Sequence, residues 1–238
     1  PEGKKLYEHV AIAYEQLQIG EEEIRQNGEL ENGLVSIGAS ENALRLVLLS
    51  RLEKFHEQYP HVRLRISNHS TPQAIQALRS DIVDFAAVTT PLDIKSPLEK
   101  IPLASYREIL IGGRKYKKLA EHTQKLEDIA SLPFISLDEN SSTRELYNSF
   151  FLEHGLSFAP DMETATTDQM LPLITHNLGI GFYPKKMAEL ALTKGDVYQI
   201  PLEEKLPLRR IYLVTNGSTA KSTAVRKMIK FIQEYHKI

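Results

Sequence analysis

Two periods of apolar and polar residues alternate along these 238 residues, and the switching between them lays out the elements. Residues 34–39 (LVSIGA) form a short β-like run. A helical pattern follows over 44–59 and stops at Pro60, which cannot continue a helix. The same alternation recurs with VRLRIS at 62–67, a helix over 72–79 and DFAAVT at 84–89. Strands that alternate with helices across short loops predict parallel βαβ units in an α/β sheet. A second series opens with an extended stretch over 101–113, where Pro102 argues against a helix. It continues through FISL at 134–137, a helix over 143–154, METAT at 162–166, a helix over 168–176 and IGFY at 180–183. After VYQIPL and EEKLPL come a last strand at 209–215 and an amphipathic helix over 220–235.

Ahead of all this, Leu6, Val10, Ala13 and Leu17 recur at intervals of four, three and four. That spacing puts them on one narrow seam of a helix, as two helices packed along each other require. The opening segment is therefore expected to need a partner.

Composition narrows the function. The net charge of -2 gives no overall electrostatic reason to bind nucleic acid or an anionic membrane. Residues 1–31 hold eight acids against three bases, and residues 219–238 hold five bases against one acid, which reads as solvated helix faces. The absence of cysteine removes disulfides, thiolate nucleophiles and cysteine metal sites. No apolar run approaches the ~20 residues that span a bilayer, and the charged N-terminus lacks the apolar core of a signal peptide, so a cytoplasmic location is expected.

Catalytic constellations do not emerge. The eight histidines have no i, i+4 metal spacing, and no GxSxG, HExxH or GxxxxGK[ST] occurs. Asp138–Glu139 and Glu203–Glu204 are adjacent rather than convergent, as in solvated loops. LGIGFYP carries a GxG without the third glycine of the dinucleotide fingerprint, so its glycines are read as a tight turn into a strand. No enzyme activity, metal or cofactor is expected.

Residues 33–89, GLVSIGASENALRLVLLSRLEKFHEQYPHVRLRISNHSTPQAIQALRSDIVDFAAVT, resemble the effector-binding domain of LysR-type transcriptional regulators. LPFISLDENSSTRE and HNLGIGFYPKKM resemble its second lobe, and PEGKKLYEHVAIAYEQL resembles the linker helix that joins the family's winged helix-turn-helix to that domain. The resemblance covers essentially the whole chain, with the helix-turn-helix expected to lie outside it. Leu49, Ser70 and Asp81 stand where many members have proline, glycine and glycine. Asp tolerates a left-handed backbone, so Asp81 can serve in a turn.

The resemblance implies an α/β fold of two Rossmann-like lobes joined by two crossing strands, like the type II periplasmic solute-binding proteins, preceded by a long N-terminal helix. It divides the chain into a linker and dimerisation helix over 1–32, lobe I over 33–105 and 207–238, and lobe II over 106–206, with crossings near 105–107 and 203–206. In open α/β sheets ligands bind beyond the carboxyl ends of the strands, where helix N-termini present unpaired N–H groups. The expected ligand-binding residues are Ser40, Asn42, His69, Thr89 and Thr90 from lobe I. Lobe II is expected to supply Ser136, Asn140, Ser142, Thr143, Thr166 and Thr167, with Phe182 in one wall. Ser40 and Asn42 suit helix capping equally well.

The implied function is the effector-sensing and oligomerising region of a bacterial LysR-type regulator. It would bind a small, anionic metabolite in the interlobe cleft and form a homodimer or homotetramer through the Leu6, Val10, Ala13 and Leu17 helix and lobe contacts. DNA would be reached only through the absent N-terminal domain, and no membrane is involved. The alternative is a stand-alone solute-binding protein of the same bilobal fold.

Overall fold

A computed structural model describes residues 33–235, together with Gly3, Tyr7, Val10, Tyr14, Gln16 and Leu17, which are helical. Leu6, Ala13 and most of the 1–32 segment lie outside the described residues. Val10 and Leu17 are exposed, at 54% and 67%.

The first sheet has five strands in the order β2-β1-β3-β10-β4. These are β1 (Leu34–Ala39), β2 (Arg63–Asn68), β3 (Phe85–Thr89), β4 (Leu98–Tyr106) and β10 (Arg209–Asn216). β1 pairs in parallel with β2 and β3, and β10 runs antiparallel to β3 and β4. Crossover helices cover both faces, which is why β1 and β3 read as near-continuous apolar runs. On one face, helix α1 (residues 41–58) and the closing helix α7 (Thr223–Glu234) pack Leu48, Phe55, Met228 and Ile232 against Val35, Ile37, Ile211 and Leu213. On the other, α2 (Thr71–Arg79) packs Ala74 and Leu78 against Val83, Ala86 and Val214. The turn into β3 is closed by Asp81 in the left-handed region, with φ 52.

The second sheet is built from β5 (Glu108–Gly113), β8 (Ile180–Pro184) and β9 (Val197–Ile200) in the order β8-β5-β9. A parallel pair, β6 (Ile135–Leu137) and β7 (Met162–Thr164), joins it through a bridge between Phe134 and Ile180. The short helix α3 (Leu126–Ile129), then α4 (Ser142–Glu153), α5 (Thr167–Thr175) and α6 (Lys185–Lys194), complete this lobe.

The extended stretch 101–113 is two strands broken at Arg107, one in each sheet. Two features differ from the sequence reading. The first helix begins earlier and is not uniform: α1 runs through an α-turn Glu41–Ala43, a π-helical stretch Leu44–Leu48 and an α-helix Leu49–Gln58. Helix α6 had no counterpart in the pattern, because Pro184 looks like a stop. It is in fact the N-cap of α6, where a proline's missing N–H costs nothing.

Candidate functional site

Four helices start at strand exits on the two sides of one cleft of about 220 Å³, near the small end of ligand-sized cavities. From lobe I, β1 leads into α1 through Ser40, and β2 leads into α2 through Ser70. From lobe II, β6 leads into α4 through Ser141, and β7 leads into α5 through Thr166. Each start leaves backbone N–H groups and the positive end of the helix dipole directed at the cleft. The hydroxyls at these starts are partly committed to capping. Ser40 Oγ accepts from the Ala43 N–H at 3.3 Å, and Ser141 Oγ accepts from the Arg144 N–H at 3.1 Å.

The structure brings together eight of the residues expected from sequence: Ser40, Asn42, His69, Thr89, Ser142, Thr143, Thr166 and Thr167 all line the cleft. His69 Nε2 lies 2.8 Å from Ser67 Oγ. Asn42 is buried and donates from Nδ2 to the Tyr106 hydroxyl at 3.2 Å, while its Oδ1 has no hydrogen-bond partner.

The other four stand elsewhere. Thr90 accepts from the Arg210 N–H through Oγ1 at 3.0 Å, turned towards β10 and away from the cleft. Ser136 is fully buried in β6. Asn140 is an exposed turn residue whose N–H donates to Asp138 at 3.0 Å. Phe182 is a core residue, packed on Tyr147 with ring centroids 4.9 Å apart and surrounded by Phe134, Phe150 and Phe151. The reason is the two-residue period of a strand: on β8, Phe182 faces α4 while its neighbour Tyr183 faces the α5 and α6 side.

Sequence reasoning missed two things. Glu41, Asn68, Gln73 and Asp138 also line the cleft. Their signal was available, since each lies within three residues of a strand exit or helix start. Burial and then the charge of Asp168 raise the Glu41 carboxyl above its ordinary value, against the pull of Arg45 3.8 Å away.

The second omission is a buried knot behind the cleft. Arg209 on β10 donates through Nη1 to both Glu108 carboxylate oxygens on β5, at 3.0 and 3.1 Å. Through Nη2 it donates to Thr89 Oγ1 at 3.1 Å and to Thr143 Oγ1 at 3.0 Å, one hydroxyl from each lobe. The Tyr147 hydroxyl donates to Glu108 at 2.9 Å. Burial opposes the charge on Arg209, but the Glu108 carboxylate holds its pKa above the ordinary value. Burial pushes the Tyr106 hydroxyl up to about 12 and the Tyr147 hydroxyl well above its usual range. No local pattern signals this knot, because its members are scattered from Thr89 to Arg209.

Two α/β lobes joined by two passages, with helix N-termini facing one another across a polar cleft, define a bilobal ligand-binding fold. Comparison with known proteins places it more closely: the family model of the LysR substrate binding domain matches residues 28–237, and the chain belongs to that family. It is 22% identical over 229 residues to the HTH-type transcriptional regulator YeiE of Escherichia coli, covering 96% of this chain and 76% of that protein. It is 24% identical over 200 residues to a probable RuBisCO transcriptional regulator of Guillardia theta, covering 82% of this chain and 64% of the relative. Among solved structures, the effector binding domain of QuiR in complex with shikimate aligns with a TM-score of 0.75 at 20% identity, covering 87% of this chain and 98% of that one. The regulatory domain of Synechocystis CcmR in complex with 2-PG aligns at 0.76 and 15% identity, with the same coverage of both chains. At these identities the structural likeness establishes the fold. Among the described residues no helix is long and apolar enough to cross a membrane.

Proposed function

We propose that this chain is the effector-sensing and oligomerising region of a cytoplasmic LysR-type regulator without enzymatic activity, and that a small anionic metabolite binds between its lobes. The observation that carries the reading is the convergence of four helix starts, two from each lobe, on one hydroxyl-lined cleft. Ser40, Asn42, His69, Thr89, Ser142, Thr143, Thr166 and Thr167 are the proposed contacts. The division into lobe I over 33–105 and 207–238 and lobe II over 106–206, with residues 1–32 as the linker, belongs to this reading, as does a homodimer or homotetramer. A ligand touching both lobes stabilises one interlobe angle, and it shifts an oligomer only by its differential affinity for the two states.

The test is a thermal-shift screen of metabolites followed by calorimetry on hits. Ala at Ser40 and at Thr143 is expected to weaken binding of an anionic hit by about 1–3 kcal/mol each with the fold retained. Unchanged affinity in both variants would reassign these residues to capping.

A further inference from the structure

Arg209 reaches the cleft without lining it. A guanidinium has five donors and no acceptor, so both threonine hydroxyls that meet Nη2 must accept from it. Each is left with a proton to give away. The Thr89 proton has the Tyr106 hydroxyl beside it. For Thr143, no acceptor among the described residues takes the proton, and the side chain stands on the cleft wall in the first turn of α4. Accepting from a cation also polarises the O–H and strengthens it as a donor. The same guanidinium is fastened to Glu108 in the other sheet, at the first residue after the Arg107 break.

We propose that Arg209 is a positioning residue for the ligand: it orients Thr143 as an obligate donor to an anionic oxygen and ties that donor to the angle between the lobes. The inference rests on the cleft being the effector site. The pair Arg209–Glu108 is neutral as a whole, so attraction for the anion comes through the hydroxyl and the helix starts rather than from a free charge. Buried Asn42, with its unpartnered Oδ1, lines the same cleft from lobe I, opposite this lobe II donor, and its acceptor favours a ligand that carries both an anionic group and a hydroxyl.

The experiment titrates the chain with malonate and with inorganic phosphate, following backbone amides by NMR and affinity by calorimetry. Thr143→Val is expected to weaken binding about tenfold and Thr143→Ser to restore it. Arg209→Lys keeps a cation for Glu108 but loses the fork that spans both threonines. The paired change Arg209→Met with Glu108→Gln removes both buried charges and leaves an acceptor for Tyr147. Both are expected to bind about tenfold more weakly, and adding Thr143→Val to either should then cost little more. A folded Arg209→Lys or paired variant that binds as the parent does, or a Thr143→Val penalty of equal size in every background, overturns the role of Arg209. Amide shifts confined to residues outside the cleft overturn the cleft reading itself. A neutral metabolite that perturbs cleft amides where neither anion does leaves the cleft in place and overturns the donor role.

Discussion

Arg209 and Glu108 form a two-pronged ion pair between strands of different sheets, with side chains only 1% and 2% exposed. Desolvating both charges is costly, and the bidentate geometry with the added bonds from Tyr147 and to the two threonines is what offsets it. Removing one partner should therefore be far worse than replacing both. Glu108→Ala is expected to destabilise the chain by about 3–5 kcal/mol, because it strands a buried cation. Urea unfolding checks this, and a loss below about 1 kcal/mol would mean that water reaches the pair.

Phe182 supports lobe II from the core rather than touching ligand. Phe182→Ala should cost about 3–5 kcal/mol in stability through the cavity it leaves among Phe134, Tyr147, Phe150 and Phe151. Once folded, the variant should bind the same anions as the parent, as measured by calorimetry at low temperature. A selective loss of affinity without loss of stability would return Phe182 to the cleft wall.

Glu41 sets the acid side of the pH dependence. Its carboxyl titrates above its ordinary value of 4.5 because burial and Asp168 disfavour the charge. A raised acid binds its proton more tightly folded than unfolded, so its effect on stability is most favourable below the ordinary value and declines as pH rises through the folded pKa. In the cleft the same charge repels an anion. Glu41→Gln should accordingly raise anion affinity at neutral pH and flatten its rise on mild acidification, for a ligand that stays ionised over that range. Identical pH profiles for parent and variant would remove Glu41 from the electrostatics of the site.

Val10 and Leu17 are helical and exposed in the single chain. Apolar residues in register on a marginal helix call for cover, and identical subunits most often supply it about a two-fold axis. The double variant Val10→Asp with Leu17→Asp is expected to shift the species to a smaller mass in light scattering while the two lobes stay folded. A mass equal to the parent's across a wide concentration range would exclude the seam from the contact.

Much of the architecture is legible in local pattern. LVSIGA and DFAAVT are mostly apolar because each becomes a central strand covered on both faces; the short connection after LVSIGA leads into the crossover helix α1, whereas β3 runs through a loop into strand β4. The hydroxyls at the exits of β1, β6 and β7 are legible for a related reason: a strand exit is also a helix start, and Ser40, Ser141 and Thr166 occupy N-cap positions. Asp81 was readable as a turn residue from its tolerance of positive φ.

The remainder depends on contacts between residues far apart in the chain, which no periodicity encodes. Proximity to a strand exit put Phe182 and Ser136 among the site candidates, but strand alternation and the placement of α4 turn them into the core. Thr89 and Thr143 look like two unrelated hydroxyls until Arg209, 120 and 66 residues away, joins them. Glu108 and Arg209 read as ordinary strand-end charges in the sequence, and become a buried pair because the two passages between lobes run side by side. Sequence by itself determined most of the strands and helices, α6 and the first turn of α1 excepted, since these are settled by short-range sterics and burial on one face or two. Only the tertiary structure decided which side chains share a wall of the cleft and which charge lies behind it, because those depend on how two separately patterned sheets are set against each other.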